Sequence, residues 1–153
     1  MALNTEQINH VLKNCVYTRM HFLGTFPSCV INNDSQKREY SWISNTSDCS
    51  DRGQHWCAWY VKDNVVTFFD SFGRSPLCKS LPHDYKDMVL NYKSFRYSKR
   101  QLQDFNSFTC GHFSIHFILT MSLGLDINSF LKEYSNDKNK NDVTVLNIIN
   151  SII

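Results

Sequence analysis

Residues 55–70 read His55-Trp-Cys-Ala-Trp-Tyr-Val-Lys-Asp-Asn-Val-Val-Thr-Phe-Phe-Asp70. Two runs rich in aromatic and β-branched residues, 55–61 and 65–70, flank Lys62-Asp63-Asn64, which is a hairpin signal. Both runs are apolar on both faces, so the sheet they join is expected to be covered on both sides. A two-residue turn at Asp63-Asn64 pairs Lys62 with Val65 and sets Cys57 opposite Asp70, and a four-residue loop gives the same pairing. His55 and Cys57 then share a face with Asp70, and His55 lies diagonal to the carboxylate, within reach of an imidazole. A three-residue loop would turn Asp70 to the other face. Two ordinary readings stand beside a His–carboxylate couple. His55 can be a sheet-edge histidine bonded to backbone, and Asp70 can cap the turn Ser71-Phe72-Gly73.

Outward from the hairpin, Asn4 or Thr5 can cap a first helix whose apolar stripe is Ile8, Val11, Leu12 and Cys15. Phe22 to Pro27 reads as a turn into an extended segment, and Tyr40-Ser41-Trp42-Ile43 as a short strand between the polar loops 32–39 and 45–53. Residues 84–91 are expected to be helical and 93–98 to form a strand. Cys110 to Leu123 reads as a helix apolar around most of its circumference, hence central and buried. Helices over 127–134 and 142–152 follow, joined by the polar loop SNDKNKN. The expected class is α+β, a single domain over 1–153 with one central helix against a mostly antiparallel sheet.

The chain has 153 residues, 42% hydrophobic and 14% aromatic, which is enough apolar bulk for one core and excludes wholesale disorder. Glycines at 24, 53, 73, 111 and 124 are too scattered for a dinucleotide fingerprint or a phosphate loop. A net charge of +2 does not by itself argue for nucleic acid. The first ten residues do not have the pattern of a signal peptide, and no apolar run reaches membrane-spanning length. Six irregularly spaced cysteines include no C-x-x-C, so a zinc ribbon is not expected, and the thiols are expected to be reduced.

In a reduced setting a cysteine is core filler or a reagent. Cys110 is the best placed reagent, before Gly111 at the start of the central helix, where N–H groups and the helix dipole favour thiolate. Burial as a small hydrophobe is the alternative. Gly111 is expected to leave room for a closely approaching backbone. Acyl chemistry also needs oxyanion donors. The Cys110 N–H is one, and Gln101 and Gln103 both stand just upstream to supply another. A metal site using His55, Cys57, Cys110 and His112, with His116 one turn on, matches no common zinc module. His112, His116 and Thr120 read more simply as a polar stripe.

His55-Trp56, Asp70 within Phe-Asp-Ser-Phe-Gly, and Gln103 seven residues before Cys110-Gly111 together resemble the adenovirus maturation protease (adenain) family. The wider group includes the SUMO-specific proteases and adenain-like proteases of virus-like DNA transposons. Phe22-Leu23-Gly24-Thr25 and Asn45-Thr46 fall where that family has the same residues, so the likeness extends over about residues 20–122. It implies a papain-like cysteine endopeptidase fold. Cys110 would attack the peptide carbonyl, His55 would carry the proton, Asp70 would orient His55, and Gln103 would donate to the oxyanion. Trp56, Gly24 and Asn45 would contact substrate, and the narrow groove would select Gly-Gly-type sites in viral or transposon capsid precursors. A ubiquitin- or SUMO-type deconjugase and a non-enzymatic DNA- or capsid-binding module are the alternatives. The family also implies a monomer without a membrane partner, in the host nucleus, cytoplasm or virion, and no metal. The chemistry would need no cofactor, while DNA or a peptide would serve as activator. Asp70 stands where many viral members have Glu. The cysteine that holds the activating peptide in the adenovirus enzyme would fall near Tyr92, with no cysteine close by. Lys93, Arg96, Lys99 and Arg100 interleave with Tyr92, Phe95 and Tyr97, so residues 93–100 can be a DNA contact or, equally, an ordinary solvated strand and loop.

Overall fold

The computed structural model describes residues 1–30, 37–47 and 55–153. Its elements are α1 (Thr5–Asn14), β1 (Phe22–Phe26), β2 (Glu39–Asn45), β3 (Trp56–Lys62), β4 (Val65–Phe69), α2 (His83–Val89), β5 (Ser94–Tyr97), α3 (Cys110–Ser122), α4 (Ile127–Leu131) and α5 (Lys138–Asn150). The five strands form one sheet in sequence order. The antiparallel core β2-β3-β4 carries a parallel strand at each edge, β1 on β2 and β5 on β4, so the sheet is mixed. Parallel neighbours need long crossovers, and α2 lies in the one between β4 and β5.

The hairpin has the two-residue turn. Lys62 pairs with Val65 and Ala58 with Phe69, and Asp63 and Asn64 both take positive φ, 52° and 63°. Two successive left-handed residues match the twist of the strands, and Asp and Asn tolerate that region better than other side chains.

Alternation along the strands divides the core. Ile43, Ala58, Tyr60 and Phe69 face a cluster with Phe113, Ile115, Phe117 and Ile118 of α3, reinforced by α1, α4 and α5. Trp42, Trp59, Val61, Val66 and Phe68 face the opposite cluster, under Tyr85, Met88 and Val89 of α2. Trp42 and Trp59 are cross-strand partners, fully buried and stacked with centroids 5.4 Å apart. Each such burial contributes about 2–3 kcal/mol. The sheet is thus covered on both faces, and α3 is the buried central helix.

α1 begins where a capping box forms. Asn4 Oδ1 accepts from the Gln7 N–H, and Gln7 Oε1 accepts from the Asn4 N–H. α5 begins earlier than the polarity of its sequence suggests, at Lys138, because Asp137 caps it by accepting from the Lys140 N–H. The expected loops 32–39 and 45–53 lie largely outside the described residues. Cys15, Cys57, Cys78 and Cys110 are free thiols, but Cys29 is disulfide-bonded, which corrects the expectation of six reduced cysteines. Pairing depends on spatial approach, which irregular spacing does not reveal. Among the described residues no helix is long and apolar enough to cross a membrane.

Candidate active site

The hairpin's open end lies where β3 begins and β4 finishes. The Thr46 N–H donates to the His55 carbonyl at 2.9 Å, extending the β2–β3 ladder and fixing the His55 backbone. One residue beyond β4, Asp70 meets the imidazole, with His55 Nε2 2.7 Å from Asp70 Oδ1. His55 is 7% exposed and Asp70 1%. Asp70 Oδ1 also accepts from the Phe72 N–H, while Oδ2 accepts from the Arg74 Nε at 2.6 Å and the Arg74 N–H at 3.3 Å. Burial alone would raise the Asp70 pKa, but His55 and Arg74 overcome it and hold the carboxyl below its ordinary value. An ionised carboxylate only accepts, so Nε2 is the donor and Nδ1 is left to exchange a proton with a thiol. The Phe72 ring stacks on the imidazole at 4.5 Å and shields the pair.

Cys110 is the first residue of α3, half-buried, and lines the same cleft as His55. Burial would raise the thiol pKa. The His55 imidazole, and then N–H groups of Trp56 and Gly111, reverse this and lower it. For His55, burial would lower the pKa, but Asp70 first, then Cys110 and Cys57, push it up to about 12. The two directions together favour a thiolate–imidazolium pair.

Gln103 is 1% exposed. Its Oε1 accepts from the Ser71 hydroxyl at 2.5 Å and its Nε2 donates to the Ser107 carbonyl at 3.1 Å. Gln103 also lines the cleft, whereas Gln101 donates its Nε2 to the Gln103 carbonyl and supports the turn. The structure thus places Cys110, His55 and Gln103 around one cleft of about 950 Å³, with Asp70 behind His55.

Trp56 and Asn45, cross-strand partners, also line the cleft, with Thr25, Phe26 and Pro27. Trp56 Nε1 donates to the Leu3 carbonyl at 3.0 Å, which brings the segment before α1 into the wall. A Cβ on Gly111 would meet Trp56 at 3.2 Å and Leu3 at 3.3 Å, both side-chain atoms. The glycine therefore makes room for side chains and not for the backbone that its position suggests. Gly24 is not among the described residues lining the cleft. It has φ +137° where the β1–β2 register shifts, so its role there is conformational, and the next three residues reach the cleft.

Of the residues weighed for a metal, His55 and Cys57 come together, and with Asp70 their potential ligand atoms lie within 4.8 Å of one another. Asp70 is already held by His55 and by the Arg74 cation, which opposes a second cation there. His116 Nδ1 is bonded to the Tyr134 hydroxyl at 2.6 Å, the Thr120 hydroxyl donates to the His116 carbonyl, and His112 is 3% exposed, so the polar stripe of α3 is turned largely into the protein. Burial lowers both histidines to about 4.

Lys93, Arg96 and Lys99 are exposed around β5. Arg100 is not available to a phosphate, because its guanidinium donates to the carbonyls of Leu131, Tyr134 and Ser135 at 2.7–2.8 Å. Tyr92 is buried with its hydroxyl on Tyr40, and Phe95 and Tyr97 pack against the core. Phe95 and Tyr97 are half-buried, with their rings stacked at 6.3 Å.

Sequence reading overlooked Ser71, Arg74 and Asp142. Asp142, in α5, accepts from Thr109 and Ser107 and so holds the segment between Gln103 and Cys110. Only the turn signal around residues 71–73 pointed near any of them.

No family model matches this sequence, and no curated protein matches it. Solved structures do match. The ASFV pS273R protease superposes with a TM-score of 0.64 at 14% identity, over 94% of this chain and 66% of that one. A second structure of it, in selenomethionine form, gives 0.60 at 14% identity over the same shares. The chain spans about two thirds of the length of that protease. A likeness at this identity carries the fold alone, and the α+β architecture is shared with that protease.

Proposed function

We propose that the chain is a cysteine endopeptidase of the adenain-like kind, cleaving capsid precursor proteins of a virus or transposon after Gly-Gly-type sites. The observation that carries this reading is the buried His55–Asp70 pair opening onto the same cleft as the Cys110 thiol. The fold shared with a viral protease agrees with it.

In this reading the Cys110 thiolate attacks the scissile carbonyl carbon. The oxyanion accepts from the Cys110 N–H and a Gln103 Nε2–H. Collapse breaks the C–N bond, and His55 Nδ1–H protonates the leaving amine. His55, now neutral, takes a proton from water, which hydrolyses the thioester and releases Cys110. Asp70 keeps the imidazole oriented and stabilises its cationic form. Trp56 and Asn45 narrow the approach, so glycine, which adds no Cβ, fits before the cut.

Turnover of a fluorogenic Gly-Gly peptide tests the proposal. Cys110→Ala is expected to abolish cleavage with the thermal melt unchanged, and retained activity would reject the nucleophile. A ubiquitin-like fusion cleaved in preference to the short peptide would shift the reading to a deconjugase.

A further inference from the structure

We propose that Ser71 is a positioning residue that holds the Gln103 carboxamide with its N–H toward the substrate oxyanion. The inference rests on the reading of Gln103 as an oxyanion donor. A primary amide has two ends of nearly equal shape but opposite hydrogen-bonding character, so its rotation decides whether a donor or an acceptor faces the cleft. An acceptor there would repel the developing negative charge.

Both ends of this amide have partners. The Ser107 carbonyl can only accept, which places Nε2 beside it at 3.1 Å. The Ser71 hydroxyl donates to Oε1 at 2.5 Å from the other side. One of the two Nε2 hydrogens is used by Ser107, leaving the second for the oxyanion. Ser71 is fully buried, and its own carbonyl accepts from the N–H groups of Leu102 and Gln103 at 2.9 and 3.1 Å. Main chain and side chain therefore lock the same two residues together. Ser71 also follows Asp70 directly, so one turn after β4 orients the proton-transfer side through Asp70 and the oxyanion side through Ser71.

The test is a double-mutant cycle on peptide turnover with Cys110 alkylation as a second readout. Ser71→Ala is expected to lower kcat about 10-fold with little change in KM, as for loss of one oriented hydrogen bond. In a Gln103→Ala background the same change is expected to cost less than about 2-fold, because the amide it acts on is gone. The iodoacetamide alkylation rate of Cys110 is expected to stay within about 2-fold of wild type, since alkylation forms no oxyanion. Ser71→Cys, similar in volume and a weaker donor, is expected to lose kcat in the same direction and covers the case in which Ser71→Ala folds poorly. Equal losses in both backgrounds, or an alkylation rate falling with turnover, would overturn the proposal and place Ser71 with Asp70. If Gln103→Ala leaves turnover unchanged, the oxyanion reading of Gln103 fails first. If Gln103→Ala is impaired and neither Ser71 variant is, only the present inference fails.

Discussion

Asp142 in α5 accepts hydrogen bonds from the hydroxyls of Thr109, at 2.7 Å, and Ser107, at 3.2 Å, so the last helix fastens the residues that lead into Cys110. Thr109 spends its hydroxyl on this carboxylate and makes no side-chain cap on α3. Asp142→Ala leaves those two hydroxyls, 3.1 Å apart, only each other as partner and removes the acceptor of the Asp104 N–H. The expected cost is about 2–3 kcal/mol of stability and a fall in kcat, read from a thermal melt and peptide turnover. Asp142→Asn keeps an acceptor and should fall between. An alanine variant as stable and active as wild type would remove the fastening role.

The directions of the two active-site pKa shifts set the pH behaviour. Cys110 is lowered from its ordinary value because His55 stands beside it, and His55 is raised. Thiolate therefore persists as pH falls until the lowered Cys110 pKa is crossed, and iodoacetamide alkylation should have its inflection below the ordinary thiol value of about 8.5. Peptide cleavage should share that acid limb and fall again at alkaline pH as His55 loses the proton it must deliver. In His55→Ala only the N–H groups of Trp56 and Gly111 still oppose the burial of Cys110, so the inflection should move up. An unmoved inflection would mean that His55 does not govern the thiol.

Gly73 has φ +77°, and a Cβ there would come within 2.6 Å of the Lys99 carbonyl oxygen and 2.8 Å of the Arg100 carbonyl carbon. Both neighbours are backbone and cannot swing aside. This close approach brings the turn after Asp70 against the segment that leads to Gln103. Gly73→Ala is expected to cost about 3 kcal/mol or more and to reduce turnover. Gly124 has φ +85° with nothing within 4 Å of its Cβ position, so Gly124→Ala should cost only about 1–2 kcal/mol. Chemical denaturation of the two variants side by side is the check, and equal losses would discount the close approach.

Arg100 joins the start of the Gln103 segment to the carbonyls of Leu131, Tyr134 and Ser135. Arg100→Ala should lower stability by about 2–4 kcal/mol through the three abandoned acceptors. DNA affinity carried by the edge of the sheet should instead fall with Lys93→Ala, Arg96→Ala or Lys99→Ala, and its salt dependence should flatten. Filter binding over a salt series separates the two effects. A DNA-specific loss in a stable Arg100→Ala protein would contradict the assignment.

Much of the fold is legible locally. Alternation of apolar side chains in 55–70 reveals the hairpin, and Asp63-Asn64 is the kind of pair that accepts a left-handed turn, so the diagonal of His55 and Asp70 follows from pairing alone. The largely apolar circumference of 110–123 reveals the central helix. The polar run after Ser135 does not announce a helix, because Asn141 and Asp142 are buried by bonding to carbonyls and hydroxyls far away in sequence. Nor do Lys93 to Arg100 disclose which of their charges are spent inside the protein.

From the sequence alone came the elements, their facing sides, and a histidine and a carboxylate brought together by one turn, since these depend on neighbours a few residues apart. Position at the start of a helix marked Cys110 as the candidate nucleophile, and the resemblance singled out Gln103 over Gln101. Only the tertiary structure decided that α3 presents its first residue to the hairpin's open end, that Ser71 and Ser107 grip the Gln103 amide, and that Gly24 turns a strand without lining the cleft. Those relationships arise largely from packing of segments far apart in the chain, such as Ser71 with Gln103, where burial and hydrogen-bond satisfaction leave few arrangements open and local pattern carries little information.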